Sequence, residues 1–508
     1  MKTLAALILI LAQLFSVSSA FAGESNVVAP RNLNDLATSA NWAFESNQAD
    51  AQLGYTVASA GDVNGDGFED ILVSMPYYDN GNTDEGRVLV FYGSSTGLNS
   101  SADWSAEGGQ DNAHFGMSAA SAGDFNGDGY ADIIIGAPHY DNGNTDEGGV
   151  FVFFGSSTGL SSTANWSVEG AQDNAYFGTA VASAGDVNGD GYADIVVGAP
   201  GYTDNPGTED NEGGAFVYYG GSTPDTTPDW STDSDQASAS LGSAVAPAGD
   251  FNGDGYADLI IGAYLYDNGS YTDDGSAFVW LGSASGLSTS GADWTATGGQ
   301  NNAHLGVAVT SIGDVNGDRY SDLAVGASEY TDTTGSEGRV FVYHGSNTPD
   351  SASDWTADGE PANAALGSTI APVGDVNGDG YADLLVGAPQ YDDSSTDEGG
   401  AFLWFGSSAG LNRGRAGTPA NAQWTASGGQ ANSKLGSAVA IADVNRDGYS
   451  DVLVGSPGYA NPSSDEGQAQ AFYGESYSLS GTSDRSWLGD QSSAGLGEIG
   501  RASCRERV

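Results

Sequence analysis

The chain is poor in positive charge and nearly free of cysteine. Its 508 residues contain 13 Lys and Arg against 67 Asp and Glu, for a formal net charge of −54, and one cysteine, Cys504. Nucleic acid and anionic membrane surfaces are therefore poor partners, because binding them requires clustered Lys and Arg. A single cysteine cannot build a disulfide framework, so an exported chain of this kind needs another stabiliser, for which metal is the obvious candidate.

Long apolar runs are missing except near the start. Residues 4–15 form an apolar run that follows Lys2 and precedes the small-residue site Ala20-Phe21-Ala22. This order is typical of a secretory signal peptide, here predicted as residues 1–22 and followed by a lead-in over residues 23–39. No segment reaches the ~20 apolar residues that a spanning helix needs, so we expect a secreted or cell-surface protein without a membrane span.

Residues 498–508 depart from the acidic, Gly-rich composition of the rest. They hold Cys504 and three of the thirteen basic residues. We interpret this segment as a non-native tail derived from a sequencing adapter, and the natural chain as longer.

One acidic motif, Asp-x-Asn-x-Asp-x-x-x-Asp, occurs seven times at intervals of 61 to 68 residues. Between its copies lie short runs rich in Val, Ile, Phe and Tyr, bounded by Gly, Asn, Asp and Pro, and no window keeps a helical period. The pattern indicates about four strands per unit. It predicts an all-β, seven-bladed β-propeller over residues 40–497, with four antiparallel strands per blade.

A tryptophan recurs once per unit and one further time. We interpret it as a core aromatic residue of the outer strand rather than as a platform for stacking a ligand. The eighth copy, Trp487, either closes the ring against the first blade or begins a unit of a longer protein. The eight positions are Trp42, Trp104, Trp166, Trp230, Trp294, Trp355, Trp424 and Trp487.

Each acidic motif places side-chain oxygens at positions 1, 3, 5 and 9, and the backbone carbonyl of position 7 adds another. Such a loop suits Ca²⁺, which accepts about six to eight flexible oxygen ligands, whereas Mg²⁺ resists losing its waters. We predict up to seven Ca²⁺ sites, formed by Asp62, Asn64, Asp66, Phe68, Asp70; Asp124, Asn126, Asp128, Tyr130, Asp132; Asp186, Asn188, Asp190, Tyr192, Asp194; Asp250, Asn252, Asp254, Tyr256, Asp258; Asp314, Asn316, Asp318, Tyr320, Asp322; Asp375, Asn377, Asp379, Tyr381, Asp383; and Asp443, Asn445, Asp447, Tyr449, Asp451.

Two alternatives compete with this interpretation. An EF-hand requires a Glu at position 12, which here is Val or Ile in every copy, so the loop joins strands rather than helices. A solvated Asx turn without an ion would suit a single copy, but seven matching copies favour the metal. Arg319 replaces a Gly where a left-handed backbone is expected, which predicts a weaker fifth site. Arg446 replaces an earlier Gly at a position expected to depend less on positive φ, so the seventh site is expected to survive.

Further signatures make the chain similar to a known family. Phe-Gly pairs at Phe115-Gly116 and Phe177-Gly178, Gly-Ala-Pro runs beginning at Gly136, Gly198 and Gly387, and the acidic loop between them resemble FG-GAP repeats. The resemblance implies the seven-bladed propeller of integrin α subunits. It also implies that the calcium loops join the first two strands of each blade on a lower face, and that partners meet the opposite, upper face.

The loops that the resemblance assigns to the upper face form an acidic crown. We expect it to recognise a basic or cation-bridged ligand, or else to be a set of solvated turns that keep the protein soluble. The crown loops are residues 79–85, 141–147, 204–212, 267–274, 332–337, 392–398 and 461–466.

No catalytic constellation is evident. His114, His139, His304 and His344 occupy variable slots of the repeat, and the chain lacks a reactive cysteine, a Gly-x-Ser-x-Gly elbow and a zinc signature. We expect a non-enzymatic module that binds an extracellular protein or glycan, in adhesion. The alternatives are a targeting propeller of a longer exported hydrolase such as a phospholipase, and a structural component of a cell-surface matrix.

Overall fold

Seven four-stranded antiparallel sheets form the structure, a computed structural model that describes residues 39–204, 210–332, 335–371, 374–461 and 463–474. The predicted signal peptide, Trp487 and the C-terminal tail lie outside these residues. The strands are β1 (Trp42–Glu45), β2 (Val57–Gly61), β3 (Asp70–Met75), β4 (Arg87–Phe91), β5 (Trp104–Glu107), β6 (Ser118–Gly123), β7 (Asp132–Ala137), β8 (Gly149–Phe153), β9 (Trp166–Glu169), β10 (Ala180–Gly185), β11 (Asp194–Ala199), β12 (Gly214–Tyr218), β13 (Trp230–Asp233), β14 (Ala244–Gly249), β15 (Asp258–Ala263), β16 (Ser276–Trp280), β17 (Trp294–Thr297), β18 (Leu305–Gly313), β19 (Asp322–Ala327), β20 (Arg339–Tyr343), β21 (Trp355–Asp358), β22 (Thr369–Ile370), β23 (Leu384–Ala388), β24 (Gly400–Trp404), β25 (Trp424–Ser427), β26 (Ala438–Ala442), β27 (Asp451–Ser456) and β28 (Gln468–Phe472).

The ring closes by pairing the first strand of the chain with the last. Blades 1 to 6 are β2–β5, β6–β9, β10–β13, β14–β17, β18–β21 and β22–β25, whereas blade 7 has the order β26-β27-β28-β1. Trp42 lies opposite Ala471 in that last pairing. The first strand of each blade contacts the first strand of the next, and β26 contacts β2. The described ring is therefore complete without Trp487.

The second strand of each blade is buried on both faces. All six residues of β7 are buried, as are all six of β3, β11, β15, β19 and β27 and all five of β23. A strand enclosed by neighbouring blades has no solvated face, which explains a continuous apolar run such as Ile133-Ile134-Ile135 instead of an alternating one. The outer strands alternate, as in β9, where Trp166 is buried and Ser167 is exposed.

The recurrent tryptophan begins each outer strand and packs against the adjacent blade, which confirms its predicted core role. Trp166 lies edge to face with Tyr218 at a ring-centroid distance of 5.2 Å, and its indole N–H donates to the Asp225 carbonyl at 2.8 Å. The indole thus buries its ring and satisfies its one polar group in the neighbouring blade. Equivalent indole bonds reach the next blade from Trp42, Trp104, Trp230, Trp294 and Trp355.

The signature glycines mark the closest approach between blades. Within blade 2, the N–H of Gly116 donates to the Gly136 carbonyl at 2.9 Å. A Cβ on Gly136 would lie 2.0 Å from the carbonyl oxygen of Gly178 in blade 3. Only glycine fits there, because real Cβ atoms do not approach a backbone oxygen so closely.

Two short 3₁₀ helices, Leu411–Gly414 and Pro419–Asn421, interrupt the connection between β24 and β25. They account for the widest spacing between two acidic loops. Within the described residues, the structure holds no helix whose length and hydropathy would let it cross a bilayer.

Candidate metal loops and binding face

The seven acidic loops all join the first and second strands of their blades, so they lie on one face of the ring, here called the lower face. The crown loops join the second and third strands, and the blade-to-blade connections lead from the fourth strand to the next first strand. Both therefore lie on the opposite, upper face. This placement agrees with the one implied by the resemblance.

Each acidic loop is folded around its own carboxylates. In blade 1, Asp62 Oδ1 accepts the N–H groups of Gly65 at 2.7 Å and Asp66 at 3.1 Å, and its Oδ2 accepts that of Gly67 at 2.8 Å. Asn64 Oδ1 accepts the Asp66 N–H at 2.8 Å. These turns direct the oxygens of positions 1 and 3 toward the inside of the loop.

The aspartate at position 9 has a role that the sequence did not reveal. Asp70 is fully buried, and its two oxygens accept the N–H groups of Val63 at 3.0 Å and Gly93 at 2.9 Å. It thereby ties the lower loop to the end of the third strand. Blades 2 to 7 repeat both bonds with Asp132, Asp194, Asp258, Asp322, Asp383 and Asp451.

Burial raises the pKa of these position-9 carboxylates. Loss of solvation raises the pKa of Asp70 to about 7, despite the lowering effect of the Gly93 and Val63 N–H donors. The same cause raises the pKa of Asp132, Asp194, Asp258 and Asp322 to about 7 and that of Asp451 to about 8. A nearby cation would favour the ionised form and act against this shift.

The donor chemistry of each loop suits a hard cation, since every donor is an oxygen. Hydrogen bonding does not use up a carboxylate, because its two oxygens offer about four acceptor sites. Among the described residues, however, no three His, Cys, Asp or Glu side chains are gathered closely enough to hold a metal ion. The Ca²⁺ ligand set therefore stays a prediction.

The upper crown exposes fewer carboxylates than its composition implies. The acidic residue that closes each crown loop is turned inward and is at most 3% exposed. In blade 2, Glu147 accepts the Asn142 N–H at 2.6 Å and the Asn144 side-chain amide at 2.8 Å. The carboxylates of Glu85, Glu212, Asp274 and Glu398 likewise accept hydrogen bonds from their own loops, whereas neither side-chain oxygen of Glu466 does so within the described residues. The seven buried residues are Glu85, Glu147, Glu212, Asp274, Glu337, Glu398 and Glu466.

One arc of the upper face gathers aromatic and histidine side chains, which we call the aromatic belt. The His114 and His139 rings are 4.7 Å apart and nearly perpendicular, Tyr77 lies 4.9 Å from His114, and Tyr176 lies 5.3 Å from His139. Tyr55 extends the row at 6.3 Å from Tyr77. All five side chains are half-buried, and they come from blades 1, 2 and 3.

Electrostatics distinguish the two histidines of the belt. His139 Nδ1 lies 2.9 Å from a carboxylate oxygen of Asp146. Burial, reinforced by the neighbouring His139, lowers the pKa of His114 to about 4, although Asp146 opposes the shift. His114 is therefore neutral at physiological pH and presents an uncharged ring.

Seven segments of the chain match the FG-GAP repeat, at residues 53–91, 115–153, 177–218, 241–280, 306–343, 366–404 and 435–472, which together exceed half of its length. The chain belongs to the FG-GAP repeat family. Each matched segment ends with the third strand of one blade. Six of them begin in the connection before the first strand and the fifth begins within β18, so the seven matches correspond to the seven blades of the FG-GAP propeller.

Three relatives show where this FG-GAP propeller recurs. Integrin alpha-PS2 of Drosophila melanogaster is 32% identical over 46% of this chain and 17% of its own length. Integrin alpha-V of Gallus gallus is 34% identical over 48% of this chain and 23% of its own. Phosphatidylinositol-glycan-specific phospholipase D of Bos taurus is 29% identical over 67% of this chain and 43% of its own. The chain thus spans less than half the length of each.

Two arginines depart from the FG-GAP loop pattern, and both adopt a left-handed backbone. Arg319 has φ 78°, as predicted, and its N–H donates to Asp314 Oδ2 as the glycine N–H does elsewhere. Arg446 has φ 55°. The expectation that its position depends less on positive φ was wrong, because the glycines at this position, such as Gly65 at 73°, are left-handed as well.

The aromatic belt could not be recognised from its histidines alone, because they occupy slots that vary between the repeats. His114 directly precedes a Phe-Gly pair and His139 directly follows a Gly-Ala-Pro run of the same FG-GAP repeat. In blades 2, 3, 4, 6 and 7 the glycine of the Phe-Gly position donates its N–H to the glycine of the Gly-Ala-Pro position, which places these two slots side by side. A comparison of the two slots across the repeats would have located the belt.

Proposed function

We propose that this FG-GAP propeller is an exported, Ca²⁺-binding module that attaches to an extracellular protein or glycan. The family match and the integrin relatives support a role in adhesion, and the residues 1–22 pattern supports export. The upper face would carry the ligand, because its loops are supported by a rigid ring and vary between blades. In this proposal the ring itself does no chemistry.

Calcium would act on the lower face. The oxygens of positions 1, 3, 5 and 9 and the carbonyl of position 7 would hold one ion per loop, and the ion would neutralise part of a strongly acidic chain. The repetition of one oxygen-rich loop on all seven blades supports this proposal. Asp70 and its six counterparts would contribute while keeping each loop attached to its third strand.

The aromatic belt carries the assignment of the upper face. A repeated fold places equivalent residues at equivalent positions, so a site with one specific ligand must break the repetition. The belt does so, because blades 1 to 3 join Tyr77, His114, His139 and Tyr176 in one row. Blade 5 repeats the His114 slot with His304, which pairs with Tyr264 at 5.7 Å, and blades 6 and 7 supply Gln390 and Lys434. Half-buried aromatic rings with a polar edge are suited to contact a protein surface or a sugar ring.

Substitutions in one slot of the repeat test this assignment. We expect Tyr77→Ala and His139→Ala each to weaken binding about tenfold or more, because they remove central contact area. Gln390→Ala changes the same slot in blade 6, outside the belt, and should leave binding unchanged. Binding is measured with the purified chain on arrays of immobilised glycans and extracellular matrix proteins. Equal effects of all three substitutions would contradict the assignment.

A targeting role beside a hydrolase is the second candidate, because the phospholipase D alignment covers more of this chain than the integrin alignments do. In either case we expect the chain alone to release no glycan-phosphatidylinositol-anchored reporter protein from vesicles. Release of the reporter would contradict the non-enzymatic proposal. Binding of the chain to such vesicles, but not to vesicles without the anchored reporter, would favour the targeting role.

A further inference from the structure

An arginine of blade 1 shows how this fold accommodates a guanidinium group. Arg87, the first residue of β4, donates from Nη1 to the Tyr78 hydroxyl at 3.2 Å and from Nη2 to Ser105 Oγ at 3.0 Å. Its Nε lies 3.5 Å from Glu107 Oε1, and its guanidinium carbon lies 5.1 Å from the centre of the Tyr78 ring. Tyrosine, serine and glutamate thus surround one planar cation.

Blade 5 repeats this arrangement with a second internal arginine. The guanidinium carbon of Arg339 lies 4.1 Å from the centre of the Tyr330 ring and 5.7 Å from that of Phe341, and its Nε pairs with Asp358. The two rings meet edge to face at 5.5 Å. In two separate blades, therefore, the first residue of the third strand is an arginine whose guanidinium packs on an aromatic ring and pairs with a carboxylate of the outer strand.

Blade 2 contains the same surroundings without the arginine. Gly149 occupies the position of Arg87, and Tyr140, Ser167 and Glu169 occupy those of Tyr78, Ser105 and Glu107. The pairing register confirms this correspondence, because Gly149 lies opposite Glu169 as Arg87 lies opposite Glu107. Tyr140 and Phe151 meet edge to face at 5.5 Å, as the aromatic pair of blade 5 does.

The Glu169 carboxylate of blade 2 is held in the same way as the Glu107 carboxylate that pairs with Arg87. An asparagine amide holds one oxygen of each glutamate, from Asn80 to Glu107 Oε2 at 2.9 Å in blade 1 and from Asn142 to Glu169 Oε2 at 2.7 Å in blade 2. In blade 1 the other oxygen faces Arg87. In blade 2 no hydrogen bond or ion pair to Glu169 Oε1 is made by any residue in the described part of the chain.

The groove beside this position is also larger in blade 2. It has a volume of about 560 Å³ and is lined by the Tyr140, Phe151 and Phe153 rings and by Ser105 and Glu107 of blade 1. Ser167 and Glu169 are exposed on the outer strand of blade 2 and are not part of this lining. The corresponding groove of blade 1 has about 310 Å³ and is lined in part by Arg87 itself. A Cβ added to Gly149 would lie 3.3 Å from both the Tyr140 and Phe151 rings, so a side chain there would point toward the groove that they line.

We propose that the Gly149 position of blade 2, beside this groove, binds an arginine side chain of a partner protein, whose guanidinium takes the place that Arg87 and Arg339 fill in their own blades. A planar guanidinium can stack on Tyr140 while donating to Ser167 and Glu169, which a lysine ammonium cannot do with the same geometry. The net charge of −54 favours such a basic partner. The proposal uses neither the calcium loops nor the aromatic belt.

Other blades lack one element of this arrangement. Blade 3 carries Gly214 and Asp233 at the corresponding positions, but Asp233 already has a partner. Blade 6 carries Gly400, and the residue opposite it is Ser427, which has no charge. In blade 7 the carboxylate of Glu45 accepts the side-chain amides of Gln468 and Asn461. Blade 7 therefore provides a matched control.

The proposal is tested by titrating the full chain with N-acetyl-L-arginine amide and with N-acetyl-L-lysine amide. Both titrations are done in the presence of calcium at physiological ionic strength. We expect the arginine probe to bind more tightly than the lysine probe. Glu169→Gln should weaken binding of the arginine probe about fivefold or more, since it removes the ion pair between Glu169 and the guanidinium. Glu45→Gln, which makes the same change of charge in blade 7, should leave the affinity unchanged.

Two further variants fill or vacate the position. Gly149→Arg should abolish binding in blade 2 by supplying an internal guanidinium, whereas Arg87→Ala should add a second site in blade 1. Crystals soaked with the arginine probe should show it against Tyr140. Equal affinity for both probes, or equal effects of Glu169→Gln and Glu45→Gln in variants with wild-type melting temperatures, would overturn the proposal.

Discussion

At the scale of single residues, the acidic loops contain two kinds of aspartate. Asp66 is exposed, and its Oδ1 accepts the nearby Phe68 N–H. Asp70 is buried and connects the loop to a distant glycine of the same blade. Both kinds were predicted as metal ligands, because spacing alone cannot distinguish an oxygen that faces the loop from one that also holds the backbone together.

A pair of substitutions separates these roles. Asp70→Asn should lower the free energy of unfolding by about 1–3 kcal/mol in chelator, because one of two buried N–H groups loses its acceptor, and by more in calcium, because a proposed ligand is also lost. Asp66→Asn keeps the oxygen that accepts the Phe68 N–H, so it should lower stability only in calcium. Urea unfolding of both variants, in calcium and in chelator, measures the difference. An Asp70→Asn variant as stable as the wild type in chelator would contradict the structural role.

At the scale of elements, most of the fold followed from the sequence. Short β-rich runs, turn residues and the sevenfold repeat predicted four strands per blade, and the buried second strand appeared as an unbroken apolar run. Ring closure could not be predicted, because Trp42 and Trp487 are equally good candidates when only the local pattern is known. The pairing of β1 with β28 depends on contacts between residues more than 400 positions apart.

The closing strand provides a direct test of ring assembly. Trp42 is 8% exposed, lies 4.9 Å from the Phe91 ring and donates to the Asn99 carbonyl. Trp42→Ala should therefore destabilise the propeller by about 3–5 kcal/mol, as expected for a large buried aromatic residue. Thermal melting measures the effect. Phe44→Ala, which changes a half-buried residue of the same strand, should cost less, and a Trp42→Ala variant that melts like the wild type would contradict the assigned closure.

At the scale of the whole molecule, a chain with a net charge of −54 closes into one ring whose seven acidic loops share one face. Repulsion between these loops opposes the compact state unless cations reduce it. The described ring contains no disulfide, because Cys504 lies outside it. Bound calcium would thus supply both charge neutralisation and cross-linking of each loop.

Thermal melting of the full chain in saturating calcium and in excess chelator tests the calcium proposal most directly. An ion that binds only the folded state stabilises it by about 2.7 kcal/mol per site at one hundred times its Kd, so several sites should raise the melting temperature strongly. We predict a large fall in chelator that added calcium reverses and magnesium does not. The same melting temperature in calcium and in chelator would contradict the account.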